Sequence, residues 1–348
     1  MAIPSRGPAT PNDRNGADVT KIGILTSGGG CPGLNAVIRG AVLKGITVHG
    51  QEFVGFKDGW RGVMEADSMP LPRLSVRGIS KQGGTILGTS RTNPLANGGR
   101  RAVKATLDQL GIEGLIAIGG EGTLAAARAL TEAGLKVVGV PKTIDNDLNA
   151  TDYTFGFDTA VQIATEAIDR LRTTGESHHR CMIAEVMGRN AGWIALQSGM
   201  ASGAHAVLIP EHRVSLDQVA QWVMSARRRG RAPLVVVAEA FVPVDTFGRP
   251  RLGGIGLMLE PELEVLTGIE TRATVLGHIQ RGGVPTAFDR VLATRMGMAA
   301  VDKAARGEWG VMVSLRGTEV VAVDFDSALG QLKTVPEHRY QGAAVLFG

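Results

Sequence analysis

Three times in its first 190 residues the chain breaks an apolar run with a glycine-containing turn and moves into a helical pattern. The apolar runs are 21–25, 114–118 and 180–186. The turns that follow hold Gly28, Gly29, Gly30 and Gly33, then Gly119, Gly120 and Gly122, then Gly188. Strand, turn and helix in this order demand crossover connections, and crossovers build parallel sheets covered by helices on both faces. In such sheets the crevice at the carboxyl ends of the strands binds ligands. A glycine turn that opens a helix there presents free N–H groups at a positive helix end, a setting for phosphate.

The same alternation runs through most of the chain. Strands are predicted at 21–25, 52–56, 114–118, 136–140, 180–186, 206–209 and 234–238, and helices at 34–44, 98–110, 123–133, 157–173, 191–201 and 215–228. The elements from 157 onward form a second α/β unit of similar size, so two domains with a cleft between them are expected. With 348 residues, 44% of them hydrophobic, the chain has material for two cores. Residues 1–18, rich in Pro, Asn, Arg and Gly, read as a flexible tail. No stretch of eighteen apolar residues predicts a membrane span, and two cysteines, Cys31 and Cys181, suggest neither a disulfide framework nor a metal pair. A soluble protein of a reducing cytoplasm is expected. The formal charge of +4 suits anionic partners. Its densest basic run, 227–231, falls at a predicted helix end where arginines complement the dipole, so nucleic acid is not expected.

Chemistry concentrates in the turns. Gly28, Gly30 and Gly33 satisfy G-x-G-x-x-G, yet the acid that would hold a ribose, Glu52, starts the second strand instead of ending it. A bare phosphate cradle is therefore preferred to a dinucleotide site, and glycines serving only tight turns are the plain alternative. Glu121 suits either a Mg²⁺ shell of water and phosphate oxygens or a first-turn acid at a helix start. Asp145 and Asp147, two apart, are ordinary turn caps or, with Thr143 beside them, the carboxylates of a phosphoryl-transfer site; Asp145 is the choice for a base that takes the proton of an attacking alcohol. Arg189 suits the charge of a transferring phosphoryl group. Arg272, His278 and Arg281, beside Gly282 and Gly283, suggest a sugar-phosphate pocket.

Seven segments in order, GILTSGGG, GGEGT, PKTIDND, EVMGRNAGW, the isolated Glu239, ETRATVLGHIQRGG and FDRVLATRMG, make the chain resemble the 6-phosphofructokinase family from about Lys21 to about Asp302. The resemblance implies two Rossmann-like three-layer αβα domains with mainly parallel sheets and the active site in the interdomain cleft. It places the donor domain at 19–156 plus about 280–318, and the fructose 6-phosphate domain at 157–279 plus 319–348. It implies that Gly28, Arg91, Gly120, Gly122 and Thr123 bind donor phosphates, with Glu121 toward Mg²⁺. Thr143 and Asp145 would engage the sugar's 1-hydroxyl, with Asp147 supporting metal and loop. Met187, Gly188 and Arg189 would line the sugar and the moving phosphoryl group. Glu239, His278 and Arg281 would hold fructose 6-phosphate, with Arg180 and Arg272 supplied by a neighbouring subunit of a homodimer or homotetramer.

The donor is split between two positions. Gly122 resembles the ATP-using branch and Lys142 the pyrophosphate-using one. ATP is the expectation, because an Asp at 122 would exclude it whereas a flexible lysine can swing aside. At the positions of the family's basic effector cluster, Arg39 remains but Leu43, Asp67 and Gly230 stand where basic residues are expected, which predicts weak effector binding. Pyrophosphate as donor, an NAD-dependent oxidoreductase and a catalytically silent sugar-phosphate sensor are the rivals.

Overall fold

The computed structural model describes residues 19–244 and 252–347; the expected tail at 1–18 lies outside the described residues. The first half runs β1 (Lys21–Thr26), α1 (Leu34–Lys44), β2 (Glu52–Phe56), α2 (Trp60–Glu65), β3 (Ser68–Pro70), α3 (Gly99–Leu110), β4 (Gly114–Gly119), α4 (Glu121–Glu132) and β5 (Val137–Pro141). The second runs α5 (Phe157–His178), β6 (Cys181–Val186), α6 (Trp193–Ala201), β7 (Ala206–Leu208), α7 (Leu216–Arg228), β8 (Leu234–Ala238), α8 (Ile255–Thr267) and β9 (Thr271–Val275). The chain then returns through α9 (Ala287–Ala305), β10 (Val311–Arg316), β11 (Glu319–Asp324), α10 (Phe325–Leu329) and α11 (Glu337–Ala344).

Two sheets result, in the orders β11-β10-β5-β4-β1-β2-β3 and β7-β8-β6-β9. Both are parallel except at the edges of the larger, where β3 and β11 pair antiparallel with β2 and β10. Strand alternation divides the apolar side chains between layers. In β6, Met182, Ala184 and Val186 join one cluster while Cys181 and Ile183 join another against α7 and α8. In β4, Ile116 and Ile118 share that first cluster with Met182, whereas Leu115 and Ala117 face α3 and α4. One buried layer, built from α1, α9, α5 and α6, thus belongs to both sheets and fixes them around a common cleft. Within it α1 and α9 pack backbone to backbone. A Cβ at Gly40 would stand 2.6 Å from the Thr294 carbonyl oxygen, and one at Gly297 would stand 2.3 Å from that of Val37.

The α/β class and the two mainly parallel sheets match the sequence expectation. The boundary expected at 318/319 does not. Residues 319–324 form β11 in the larger sheet, because Gly317 (φ 58°) and Thr318 make a two-residue turn that folds them back on β10 in the register Arg316↔Glu319. Helix α10 follows onto α4, and the chain crosses to α6 only after Gly330. Helix α4 also starts two residues earlier than expected, which puts Glu121 and Gly122 in its first turn.

Candidate active site

The carboxyl ends of β1, β4 and β5 face those of β6, β8 and β9 across a cleft of about 780 Å³. On the first wall, Gly28 takes a left-handed conformation (φ 89°) that favours glycine. The loop before Arg91 holds it: the Gly28 N–H donates to the Ser90 carbonyl at 2.9 Å, and the Thr89 hydroxyl donates to the Gly28 carbonyl at 2.6 Å. A Cβ at Gly28 would lie 3.4 Å from Lys142 Nζ and 3.8 Å from Thr123 Oγ1, so the β1, β4 and β5 loops converge here. Gly120 leads extended into α4, and a Cβ at Gly122 would meet nothing within 4 Å.

The β5 loop carries the carboxylates. Asn146 adopts φ 51°, a conformation Asn tolerates better than most residues, and this turn lets Asp145 and Asp147 both line the cleft although they are two apart. Thr143 Oγ1 accepts the Asp145 N–H at 3.0 Å, and the Thr154 hydroxyl donates to the Thr143 carbonyl at 2.7 Å. Asp145 is 5% exposed, and its Oδ1 is buried with no hydrogen-bond partner. Burial pushes its pKa above the ordinary range, opposed by Arg281, the Thr143 hydroxyl, Lys142 and Arg189. Burial and then the neighbouring Asp145 charge push Asp147 up to about 6. Lys142, read from sequence as a flexible side chain, is buried here: its Nζ donates to the Gly29 carbonyl at 2.6 Å, and desolvation lowers its pKa.

On the opposite wall the chain leaves β6 through Met187, Gly188 (φ 145°) and Arg189 (φ 55°). Glu239 Oε1 accepts the Arg189 N–H at 2.9 Å, and Gln280 Oε1 accepts the Met187 N–H at 3.3 Å. The Arg189 guanidinium reaches across to the Glu121 carboxylate at 3.7 Å. His278 and Arg281 stand on a 3₁₀ turn, Gly277–Arg281. Arg281 lies 3.8 Å from Asp145 Oδ2. Burial raises the pKa of Glu239, whose first countering influence is its backbone hydrogen bond with Arg189.

Gly28, Arg91, Gly120, Glu121, Gly122, Thr123, Lys142, Thr143, Asp145, Met187, Arg189, Glu239, His278 and Arg281 therefore meet in one cleft. Arg180 and Arg272 do not. They sit at the amino ends of β6 and β9, away from the cleft, bound to Glu270 at 2.9 and 2.5 Å. Sequence reading missed Trp60, Asn93, Pro94, Leu95 and Ala125, which also line the cleft. No periodicity or motif marks them. Among the described residues no group of three His, Cys, Asp or Glu side chains could hold a metal alone, so a cation would need phosphate oxygens and water beside Glu121. Cys31 and Cys181 are free and buried, and no described helix is long and apolar enough to cross a membrane.

The chain that forms this cleft has counterparts among known proteins. The chain is 57% identical over 340 residues to a pyrophosphate–fructose 6-phosphate 1-phosphotransferase of Amycolatopsis mediterranei, covering 94% of this chain and 100% of the relative. It is 52% identical over 337 residues to ATP-dependent 6-phosphofructokinase 3 of Streptomyces coelicolor, covering 93% and 98%. The fold superposes on a phosphofructokinase from Saccharomyces cerevisiae with a TM-score of 0.81 and 30% identity over 89% of this chain, which spans 45% of the yeast chain. A pyrophosphate-dependent phosphofructokinase from Marinobacter aquaeolei shares the fold at a TM-score of 0.82 and 21% identity, over 92% of this chain and 86% of that one. The phosphofructokinase family profile matches residues 21–304, and on these grounds the chain belongs to the phosphofructokinase family.

Proposed function

We propose that the chain transfers a phosphoryl group from MgATP to the 1-hydroxyl of fructose 6-phosphate, giving fructose 1,6-bisphosphate. The observation that carries the reaction is Asp145: a buried carboxylate with one unpartnered oxygen, opening on a cleft between the phosphate turns and Arg189. The sugar oxygen forms its bond to the terminal phosphorus as the bond to the leaving phosphate breaks, and its proton passes to Asp145. Thr143 orients Asp145 through the loop N–H, and Arg189 stabilises charge on the transferring group. Glu121 would help hold a Mg²⁺ ion, which would supply positive charge to neutralise the donor phosphates. Glu239, His278 and Arg281 bind the sugar phosphate, with Arg180 and Arg272 serving the cleft of a neighbouring copy. The intact carboxylate and arginines argue against a silent sensor.

ATP is supported by space. The open Cβ direction at Gly122, in a cleft of about 780 Å³ that Asn93, Pro94 and Leu95 also line, is compatible with an α-phosphate and nucleoside. Pyrophosphate as donor is favoured by one different observation, the lodging of Lys142 Nζ between the phosphate loops. Steady-state rates with MgATP and with magnesium pyrophosphate, at saturating fructose 6-phosphate, test the choice. Turnover with pyrophosphate alone overturns the ATP reading.

A further inference from the structure

The segment between α10 and α11 passes from one half of the molecule to the other and grips the loop that carries Asp145. Leu332 forms an isolated antiparallel bridge with Leu148, and the Lys333 N–H donates to the Asp147 carbonyl at 3.0 Å. The Lys333 ammonium donates to Asn146 Oδ1 at 3.1 Å, to the Thr151 carbonyl at 2.9 Å and to the Asp152 carbonyl at 2.6 Å. From the second half, the Trp193 indole N–H donates to the Lys333 carbonyl at 2.9 Å, with the ring 5.3 Å from the ammonium. All three donor positions of the ammonium are thereby used on one loop.

Asn146 is the point of leverage. It is the left-handed residue whose turn swings Asp145 and Asp147 to the same side, and such a conformation persists only when its surroundings hold it. Three donors hold its Oδ1: the Thr154 N–H at 3.1 Å, the Thr154 hydroxyl at 3.4 Å, and, from outside this loop, the Lys333 ammonium at 3.1 Å. Lys333 itself does not line the cleft. We propose that Lys333 is a positioning residue for phosphoryl transfer, locking Asn146 in its turn and so fixing the direction from which Asp145 meets the sugar hydroxyl. The inference rests on Asp145 being the base. A charge-assisted contact to a single side-chain oxygen controls angle more than affinity, so its loss is felt in the chemical step.

The test compares K333M, K333Q and K333C before and after aminoethylation with bromoethylamine, which rebuilds a lysine-like ammonium while buried Cys31 and Cys181 stay protected. Each is compared with the parent for thermal unfolding and for kcat and KM. K333M is expected to lose about 10- to 100-fold in kcat, with KM for fructose 6-phosphate and donor within about threefold; K333Q falls between, and aminoethylated K333C regains most of the loss. A folded K333M with kcat within about twofold of the parent overturns the proposal. So does failure of all three variants to fold, which would make Lys333 a fold determinant only. D145N separates the two readings: if it turns over normally, the base assignment falls and this inference with it, whereas an inactive D145N beside a normal K333M removes Lys333 alone.

Discussion

Arg281 and Asp145 face each other 3.8 Å apart, from opposite halves of the molecule, and they pull the carboxylate's proton affinity against its burial. A base works in its ionised form, so activity is present above the Asp145 pKa and lost as pH falls through it. Burial raises that pKa, and removing Arg281 raises it further. The acid limb of kcat in R281Q is therefore expected at higher pH than in the parent. A pH–rate profile under saturating substrates checks this, and an unmoved limb separates Arg281 from the base.

Replacing the proposed base outright should be more severe. D145S is expected to lower kcat by about two to four orders of magnitude while fructose 6-phosphate still binds, because the carboxylate acts on the transition state. Turnover assays paired with calorimetric titration of the sugar phosphate distinguish lost chemistry from lost binding.

Gly122 offers a clean donor test. A Cβ there meets no protein atom within 4 Å, and an acid in the first turn suits the helix dipole, so G122D should fold with stability within about 1 kcal/mol of the parent. Its carboxylate would project toward the donor and repel an α-phosphate. The ratio of kcat/KM for MgATP to that for pyrophosphate is expected to fall by at least about 100-fold, roughly 2.7 kcal/mol. An unchanged ratio would show that the donor does not pass over this residue.

Where α1 crosses α9, space is the controlling factor. G40A and G297A each drive a methyl group into a backbone carbonyl of the facing helix, which cannot rotate away. Each is expected to cost about 1–3 kcal/mol in denaturant unfolding, with kcat of the folded protein little changed.

The effector prediction concerns charge. Leu43 adds none, Asp67 is paired with Lys57 at 3.2 Å, and Gly230 has no side chain. ADP and phosphoenolpyruvate are each expected to shift the fructose 6-phosphate half-saturation by less than about twofold. A strongly sigmoidal curve moved by either compound would contradict this.

The architecture was legible because parallel strands buried on both faces read as continuous apolar runs and each is followed by a turn and a helix. The hairpin of β10 and β11 was legible in principle, since alternating residues flank Gly317 and Thr318, but no crossover signal marks an antiparallel edge. Asp145, Arg189 and the glycine turns, which the fold brings to one cleft, are marked in the sequence by residue type and position. Their shared face was not readable. Asp145 and Asp147 look divergent until the left-handed turn at Asn146 is known, and that turn depends on Thr154 and Lys333, 8 and 187 residues away. Lys142 failed differently: sequence gives a lysine's length and charge but not the carbonyl that captures it.

The contact between Arg189 and Glu121 changes how the resting cleft looks to an arriving ligand. Each of these half-exposed groups screens the other's charge, so the approach potential is milder than a count of cations suggests. Were a metal-bound polyphosphate to bind as proposed, the carboxylate would face the cation and the guanidinium the anion. One contact between the walls would be exchanged for a contact of each wall with the ligand.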